Sequence, residues 1–317
     1  VCVFFFGQPL SRTLNLALME LKLNNEGGSP KSHLSHPSAH LRRYPVVLSI
    51  AGSDSSGGAG IQADLKTFSA LGVYGATAIT AITAQNTKGV NSQLAISPEM
   101  VYNQIVAVVE DIAPSVIKIG MLANKEGAII VADALSRYNI PTILDPVMVS
   151  SSGHRLLSPD AQEVVKERLL PLSTLVTPNI PEMEALTAMS LTTAEEKLSA
   201  AKYLLSLGAQ AVLLKGGHEE GDTKCDTLYE LDGRNITQLH LSTPTVATKN
   251  IHGTGCTLSS AIAAFMARGL ALREAVQEAK NYITEAILSG ADIAIGNGFG
   301  PVNHLFNPLP MQVYEER

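Results

Sequence analysis

The sequence predicts an α/β protein with a mostly parallel sheet and helices on both faces. From Tyr44 onward, short apolar runs of strand length alternate with stretches of helical periodicity. Such alternation is typical of parallel strands joined by crossover helices. Nearly every apolar run also ends in a polar residue, and open α/β sheets bind their ligands at that edge. A ligand site at the carboxyl ends of the strands is therefore expected.

The elements follow one another without an internal repeat. The first strand, 46–50, leads through a glycine-rich loop, 51–60, into a helix on which Ile61, Leu65 and Phe68 form one apolar stripe. This loop lacks the G-x-G-x-x-G spacing of dinucleotide-binding proteins. Later strands are predicted over 76–83, 116–120, 140–144, 175–177 and 211–214, with helices over 97–111, 124–138, 158–170 and 193–207.

The last third of the chain departs from simple alternation. Asp232-Gly233 lies between two apolar runs, 227–231 and 235–241, and predicts a β-hairpin. Two helices follow, one after Cys256 and one over 272–288. We therefore predict one domain over residues 44–307, with a short tail over 308–317.

Residues 1–43 differ from the rest of the chain. The part from Gly27 to Arg43 is rich in Ser, His and Pro and contains two arginines but no acidic residue. This composition is typical of a disordered leader. An organelle transit segment and an artefact of gene prediction are the alternatives, and we exclude this region from the fold.

Charge and composition exclude several classes of function. The net charge of −6 argues against a general surface for nucleic acid or acidic membranes. No apolar run approaches the roughly 18 residues of a membrane span. The three cysteines form no pair motif, which favours a reducing compartment. We expect a cytoplasmic protein, unless residues 1–43 direct it to an organelle.

The segment His252-Gly253-Thr254-Gly255-Cys256 precedes a helix of small residues. Its two glycines allow a tight turn whose amides point at one spot, and the helix adds the positive end of its dipole. Such a turn binds phosphate. Cys256 falls in the first helical turn, where the thiol pKa is expected to fall. Phosphoryl transfer to an alcohol needs such an anion site and proton acceptor; a helix that merely begins after a glycine turn is the alternative.

Polar side chains at the ends of the other strands support the ligand site. Each has an ordinary explanation when it is taken alone, as a turn former, a helix cap or a solvated charge. Their recurrence at one edge of the sheet favours a shared function. They are Asp54, Gln85, Asp145, Asn179, Glu182 and Lys215.

From Pro45 to about Asn303 the chain closely resembles the hydroxymethylpyrimidine and phosphomethylpyrimidine kinases of thiamin synthesis. These belong to the ribokinase-like superfamily, whose fold is a three-layer α/β/α sandwich. The resemblance covers about four-fifths of the chain and rests on several segments in the same order. They are IAGSDSSGGAGIQADLKTF (50–68), AQNT (84–87), KIGML (118–122), TPNIPE (177–182), KGGH (215–218) and HGTGCT (252–257).

The resemblance implies an enzyme that phosphorylates 4-amino-5-hydroxymethyl-2-methylpyrimidine and then its monophosphate, using ATP and Mg²⁺. Its small-molecule site would lie in the predicted ligand region. The amide of Gln85 can both donate and accept, which matches a ring nitrogen beside an exocyclic amine. The pyrimidine-binding residues implied by the resemblance are Gly52, Asp64, Gln85, Met121 and Val147.

The resemblance also implies a set of residues for the phosphates and the metal. Asn179 and Glu182 would order Mg²⁺ with its waters, a role that suits hard oxygen ligands. Lys215 would meet the phosphates of ATP. The anion hole and the base would come from Gly253, Thr254, Gly255 and Cys256.

Two alternatives remain open for the function. Most sugar kinases of the superfamily have aspartate where this chain has Cys256, whereas cysteine is typical of the pyrimidine kinases and of some pyridoxal kinases. Pyridoxal kinase activity, alone or together with pyrimidine kinase activity, is the first alternative. A non-catalytic vitamin-binding module is the second. Family precedent favours a homodimer, and neither a nucleic-acid nor a membrane partner is expected.

Overall fold

The computed structural model describes residues 42–149, 153, 156–217, 221–233 and 235–315. The predicted leader lies outside this part except for its last two residues. Strand β1 (Arg42–Arg43) pairs antiparallel with β11 (Tyr314–Glu315), so that residues from both predicted flanking segments meet in a small sheet.

A single large sheet is the centre of the described fold. Its strands are β2 (Val46–Asp54), β3 (Tyr74–Asn86), β4 (Gly89–Ala95), β5 (Val116–Ile119), β6 (Thr142–Leu144), β7 (Leu175–Val176), β8 (Ala211–Leu214), β9 (Thr223–Asp232) and β10 (Asn235–Pro244). Their order is β10-β9-β8-β7-β6-β5-β2-β3-β4. From β8 to β3 in this order, neighbouring strands are parallel. Strands β9, β10 and β4 pair antiparallel with their neighbours. The mostly parallel sheet is confirmed.

Helices cover both faces of this sheet, as predicted. They are α1 (Gly60–Ala70), α2 (Pro98–Asp111), α3 (Lys125–Leu135), α4 (Pro159–Val164), α5 (Ile180–Thr187), α6 (Ala194–Ser206), α7 (Thr254–Ala267) and α8 (Leu272–Ser289). Helices α2 to α6 contribute to one apolar core, and α1, α7 and α8 contribute to the other. Val116 and Ile117 are neighbours in β5 but belong to opposite cores, because successive strand residues point to opposite faces.

Several elements differ from the sequence expectation, among them α5, which was not predicted. Strand β4 was not predicted, because this edge strand is polar and largely exposed and lacks a buried alternating pattern. The predicted helix 158–170 is α4 followed by a π-helical turn, Val165–Leu169, and a 3₁₀ turn, Leu170–Leu172. The hairpin of β9 and β10 is confirmed but is longer than expected. Among the described residues, no helix combines the length and apolarity of a membrane span.

Strands β2 and β3 extend beyond their apolar runs into polar residues. Strand β2 continues to Asp54 and β3 continues to Asn86. Gly52 and Gln85 therefore lie on the sheet rather than in loops, and the sheet fixes their backbone. This extension places both residues at the edge where the site forms.

Candidate active site

A cavity of about 650 Å³ opens at the carboxyl ends of the parallel strands. It receives residues from the ends of β2, β3 and β8, from the segment after β6, and from the first turns of α5 and α7. The structure thus brings together all but one of the predicted site residues. Those that line the cavity are Gly52, Gln85, Met121, Val147, Asn179, Glu182, Lys215, Gly253, Thr254, Gly255 and Cys256.

The glycine turn before α7 has the geometry that the sequence predicts. Gly253 is the N-cap residue and has φ of +77°, a left-handed conformation that favours glycine. A Cβ atom at Gly253 would lie 1.9 Å from the carbonyl oxygen of Gly58, so the glycine also permits close contact with the loop after β2. Thr254, Gly255 and Cys256 form the first turn of α7; the Thr254 amide donates weakly to the Ile251 carbonyl at 3.3 Å, and a helix terminus of this kind can bind an anion.

Lys215 places a positive charge beside this helix terminus. Its Nζ atom lies 2.8 Å from Asp145 Oδ1 and 3.7 Å from Glu182 Oε2. A Cβ atom at Gly255 would lie only 3.3 Å from the same Nζ. Although burial opposes the charge, the two carboxylates raise the pKa of Lys215. The ammonium group therefore stays charged next to the anion-binding turn.

Asp145 is the second charged group of this cluster. Thr177 Oγ1 donates to its Oδ1 at 3.1 Å, and Ser259 Oγ donates to its Oδ2 at 3.3 Å. Burial acts to raise the pKa of Asp145, but Lys215 and Lys118 lower it below its ordinary value. The side chain is 1% exposed and is therefore a buried carboxylate held by cations.

Asn179 and Glu182 form a capping box at the start of α5. Asn179 Oδ1 accepts from the amide of Glu182 at 2.9 Å, and Glu182 Oε2 accepts from the amide of Asn179 at 2.8 Å. Burial raises the pKa of Glu182, and Asp145 adds to this effect. Glu182 also accepts from the backbone of Met148, and both residues of the capping box line the cavity.

These oxygens fit Mg²⁺ in the manner usual for phosphate-transferring enzymes. Mg²⁺ prefers hard oxygen ligands and is generally held by one or two carboxylates together with waters and substrate phosphates. Within the described ranges, no three His, Cys, Asp or Glu side chains converge as a complete metal site. A metal ion at Glu182 would therefore depend on the phosphates for much of its coordination.

Cys256 lies in the predicted place, but the predicted pKa is wrong. Burial raises the pKa of the Cys256 thiol to about 11, although Lys118 and the amide of Gly60 act in the opposite direction. The carboxylates of Asp64 and Asp145 add to the effect of burial. A thiolate at this half-buried position would lose part of its hydration, and the helix terminus does not compensate for that loss. The thiol therefore keeps its proton at neutral pH.

Asp64 was expected to contact the pyrimidine, but it does not line the cavity. Its side chain is fully buried and makes an ion pair with Lys118 Nζ at 2.9 Å. The hydroxyls of Ser49 and Ser260 each donate to it at 2.6 Å. The role that the structure gives Asp64 is to hold Lys118, whose charge in turn acts on Cys256.

Two buried lysines, Lys118 and Lys280, were not among the residues predicted to form the site. Lys118 lies in β5 between two isoleucines, and Lys280 lies on the buried face of α8 with Val276 and Ile283. Lys280 Nζ pairs with Asp226 at 2.8 Å, and the other oxygen of Asp226 accepts from the Gly216 amide at 2.8 Å. Both lysines could have been found from the sequence, because each occupies a position where the apolar pattern of its strand or helix predicts a buried side chain.

Comparisons with known proteins show the family to which the chain is similar. Residues 54–303 match the family model described as phosphomethylpyrimidine kinase. The hydroxymethylpyrimidine/phosphomethylpyrimidine kinase of Rhizobium meliloti (strain 1021) is 48% identical over 260 residues, which are 82% of this chain and 96% of that protein.

Two solved structures extend the comparison. The phosphomethylpyrimidine kinase of Clostridium difficile 630 has 44% identity and a TM-score of 0.66, and the match covers 76% of this chain and 99% of that chain. An ADP complex of Bacillus subtilis pyridoxal kinase has 36% identity and a TM-score of 0.75, covering 83% of this chain and 98% of that chain.

The raised thiol pKa predicts slow alkylation of Cys256 at neutral pH. Because the pKa is about 11, the rate with iodoacetamide should still rise about tenfold per pH unit between pH 8 and 10. The alkylation rate of a cysteine thiol with an ordinary pKa, such as one in a short model peptide, should level off near pH 9. The measurement is the rate of modification of the Cys256 peptide by mass spectrometry. A rate that levels off below pH 9 would contradict the assignment.

Proposed function

Because this chain belongs to the phosphomethylpyrimidine kinase family, we propose that it phosphorylates 4-amino-5-hydroxymethyl-2-methylpyrimidine and then its monophosphate, with ATP as donor. One observation carries this proposal. The glycine turn of α7, the ammonium of Lys215 and the thiol of Cys256 line a single cavity. An anion site, a fixed cation and a proton-accepting group are the parts that phosphoryl transfer to an alcohol uses.

One end of the cavity suits a flat heteroaromatic alcohol. Gln85 and the backbone at Gly52 and Val147 offer hydrogen bonds, and Met121 supplies an apolar wall. Met121 packs closely on Gly52, since a Cβ atom at Gly52 would lie 2.7 Å from the methyl group of Met121. Gly52 therefore lets the methyl end of Met121 lie directly on the sheet, and a larger residue there would displace this side chain in the cavity.

The other end suits the phosphates of ATP. The amides of Gly253, Thr254 and Gly255 would hold the transferring phosphoryl group, because charge develops on its oxygens during transfer. Lys215 would share its charge between Asp145 and the phosphates. Asn179 and Glu182 would hold Mg²⁺, which supplies further neutralisation of the phosphate charge when bound.

In its thiolate form, Cys256 would accept the proton of the substrate hydroxyl late in the transfer. Its thiol is protonated in the free protein, so the thiolate form is a minor species at neutral pH. The transition state of phosphoryl transfer is loose and needs little help from a base. Most of the rate enhancement would therefore come from positioning and from the anion hole.

Pyridoxal is the alternative substrate, since pyridoxal kinases of known structure share this fold. Sequence favours the pyrimidine: relatives named as pyrimidine kinases are 43–48% identical, whereas the pyridoxal kinases are 33–36% identical. The homodimer, the cytoplasmic location and organelle targeting by residues 1–43 remain predictions from the sequence.

The proposed function predicts two successive products. Purified protein with ATP and the pyrimidine alcohol should form the monophosphate and then the diphosphate, which mass spectrometry distinguishes. Pyridoxal under the same conditions serves as the competing substrate, and its kcat/KM should be lower. A higher kcat/KM for pyridoxal would replace the proposal with the alternative, and no ATP turnover with either alcohol would favour a binding module.

The metal assignment predicts a shift in Mg²⁺ dependence. Glu182→Gln removes the charge but keeps the shape of the side chain, so the Mg²⁺ concentration for half-maximal rate should rise about tenfold or more. Glu196→Gln is the matched control, because Glu196 forms the capping box of α6, far from the cavity lining. If Glu182→Gln leaves the Mg²⁺ dependence unchanged, its role is limited to capping α5.

The role of Cys256 predicts a moderate loss of rate. Cys256→Ala should lower kcat about 10²-fold and leave the KM of the pyrimidine nearly unchanged. Cys256→Asp should retain more activity than Cys256→Ala, because a carboxylate can also accept the proton. In the parent enzyme kcat should rise between pH 7 and 9, and this rise should vanish in Cys256→Ala. Cys225→Ala is the control, and equal turnover of Cys256→Ala and the parent would contradict the base.

A further inference from the structure

Asp54 joins the glycine loop after β2 to the glycine turn before α7. Its carboxylate accepts from the amides of Ser56, Gly58 and Ala59 at 2.8, 3.1 and 2.8 Å. His252 Nε2 lies 2.8 Å from Asp54 Oδ2. Burial acts to raise the pKa of Asp54, but the hydrogen bonds from His252 and Ser56 hold it at about 2. The carboxylate is therefore ionised and can only accept hydrogen bonds.

This contact fixes a proton on His252. Because Asp54 cannot donate, the short contact requires that Nε2 of His252 carry a hydrogen and donate it. The same Nε2 lies 3.3 Å from one end of the Gln85 carboxamide. A protonated Nε2 cannot accept a hydrogen bond, so the group that faces it must be the amide oxygen of Gln85.

The other end of the carboxamide supports the same orientation. It lies 3.3 Å from Thr83 Oγ1, which donates its own hydrogen to the Ser53 carbonyl oxygen at 2.9 Å. Because that hydrogen is used, Thr83 Oγ1 can accept a hydrogen bond from the Gln85 carboxamide but cannot donate one to it. With the amide nitrogen of Gln85 toward His252, two N–H groups would oppose each other. Turning the carboxamide over by 180° removes both conflicts: its oxygen can share the Nε2 hydrogen with Asp54, and its nitrogen can donate to Thr83 Oγ1.

We infer that His252 is a positioning residue, which fixes the Gln85 carboxamide so that an N–H group faces the cavity. One hydrogen of the amide nitrogen is used by Thr83, and the second remains available on the cavity side, which Gln85 lines. A substrate that fits must therefore present a hydrogen-bond acceptor there, such as a ring nitrogen with a free lone pair. This inference rests on the proposed heteroaromatic substrate and adds the residue that sets its orientation.

The test compares two probes by calorimetric binding to the full-length protein. One probe is the pyrimidine alcohol, and the other has C–H in place of the ring nitrogen beside the amino-bearing carbon. The parent protein should bind the second probe about tenfold or more weakly, because the amide donor is left without an acceptor. In His252→Leu the carboxamide can turn, and this discrimination should fall to about threefold or less while the KM of ATP stays unchanged.

Two further variants separate positioning from general damage. His252→Gln keeps an N–H group at a similar reach and should restore most of the discrimination. His240→Leu is the matched control, because His240 is exposed on β10 and does not line the cavity, and it should behave like the parent. Retention of the parental discrimination in His252→Leu, or equal weakening of both probes, would overturn the inference.

A variant of Gln85 keeps the inference testable if His252→Leu does not fold. Gln85→Glu leaves an acceptor toward His252 but removes the N–H group, so it should lose affinity for the pyrimidine and lose the discrimination. If Gln85→Glu binds both probes as the parent does, the inference is wrong but the proposed function stands. If the parent binds neither probe, the proposed function is wrong and the inference fails with it.

Discussion

The ion pair between Lys215 and Asp145 is the interaction on which the cavity depends. A buried charge is costly unless it is paired, so the ammonium and the carboxylate must meet for either to be accommodated. Lys215 follows β8 and Asp145 follows β6, and Ser259 of α7 also bonds to Asp145. The pair thereby fixes two strand ends and one helix terminus relative to each other. A bound phosphate can compete with Asp145 for the same ammonium, since the charge is already desolvated and in place.

The parts of the site that the sequence predicted are those encoded by neighbouring residues. The glycine turn before α7 needs only Gly253 and the helix that follows it, and the pair of Asn179 and Glu182 was implied by one short segment of the resemblance, TPNIPE. The parallel sheet was likewise predictable, because the alternation of strands and helices is a local pattern. Strand β4 escaped prediction since an exposed edge strand needs no apolar pattern.

The parts that the sequence did not predict depend on residues far apart in the chain. Asp64 and Lys118 pair across 54 positions, and this pair explains why Asp64 is not a lining residue. The error at Cys256 has the same origin. Its position in the helix is local and favours a thiolate, whereas the burial that outweighs this effect comes from the surrounding fold. Local sequence thus predicts where a group lies better than it predicts its state of protonation.

The bond between Asp54 and His252 has a consequence for synthesis of the chain. The two residues are 198 positions apart, and β2, which ends at Asp54, lies inside the parallel part of the sheet. At about 5–20 residues per second, a ribosome needs roughly 10–40 s to make the intervening chain. During that interval α1 can cover its part of β2, but the apolar surface that α1 and α7 share in the second core stays exposed until α7 is made. Nascent chains of this protein should therefore need protection from aggregation until translation passes α7.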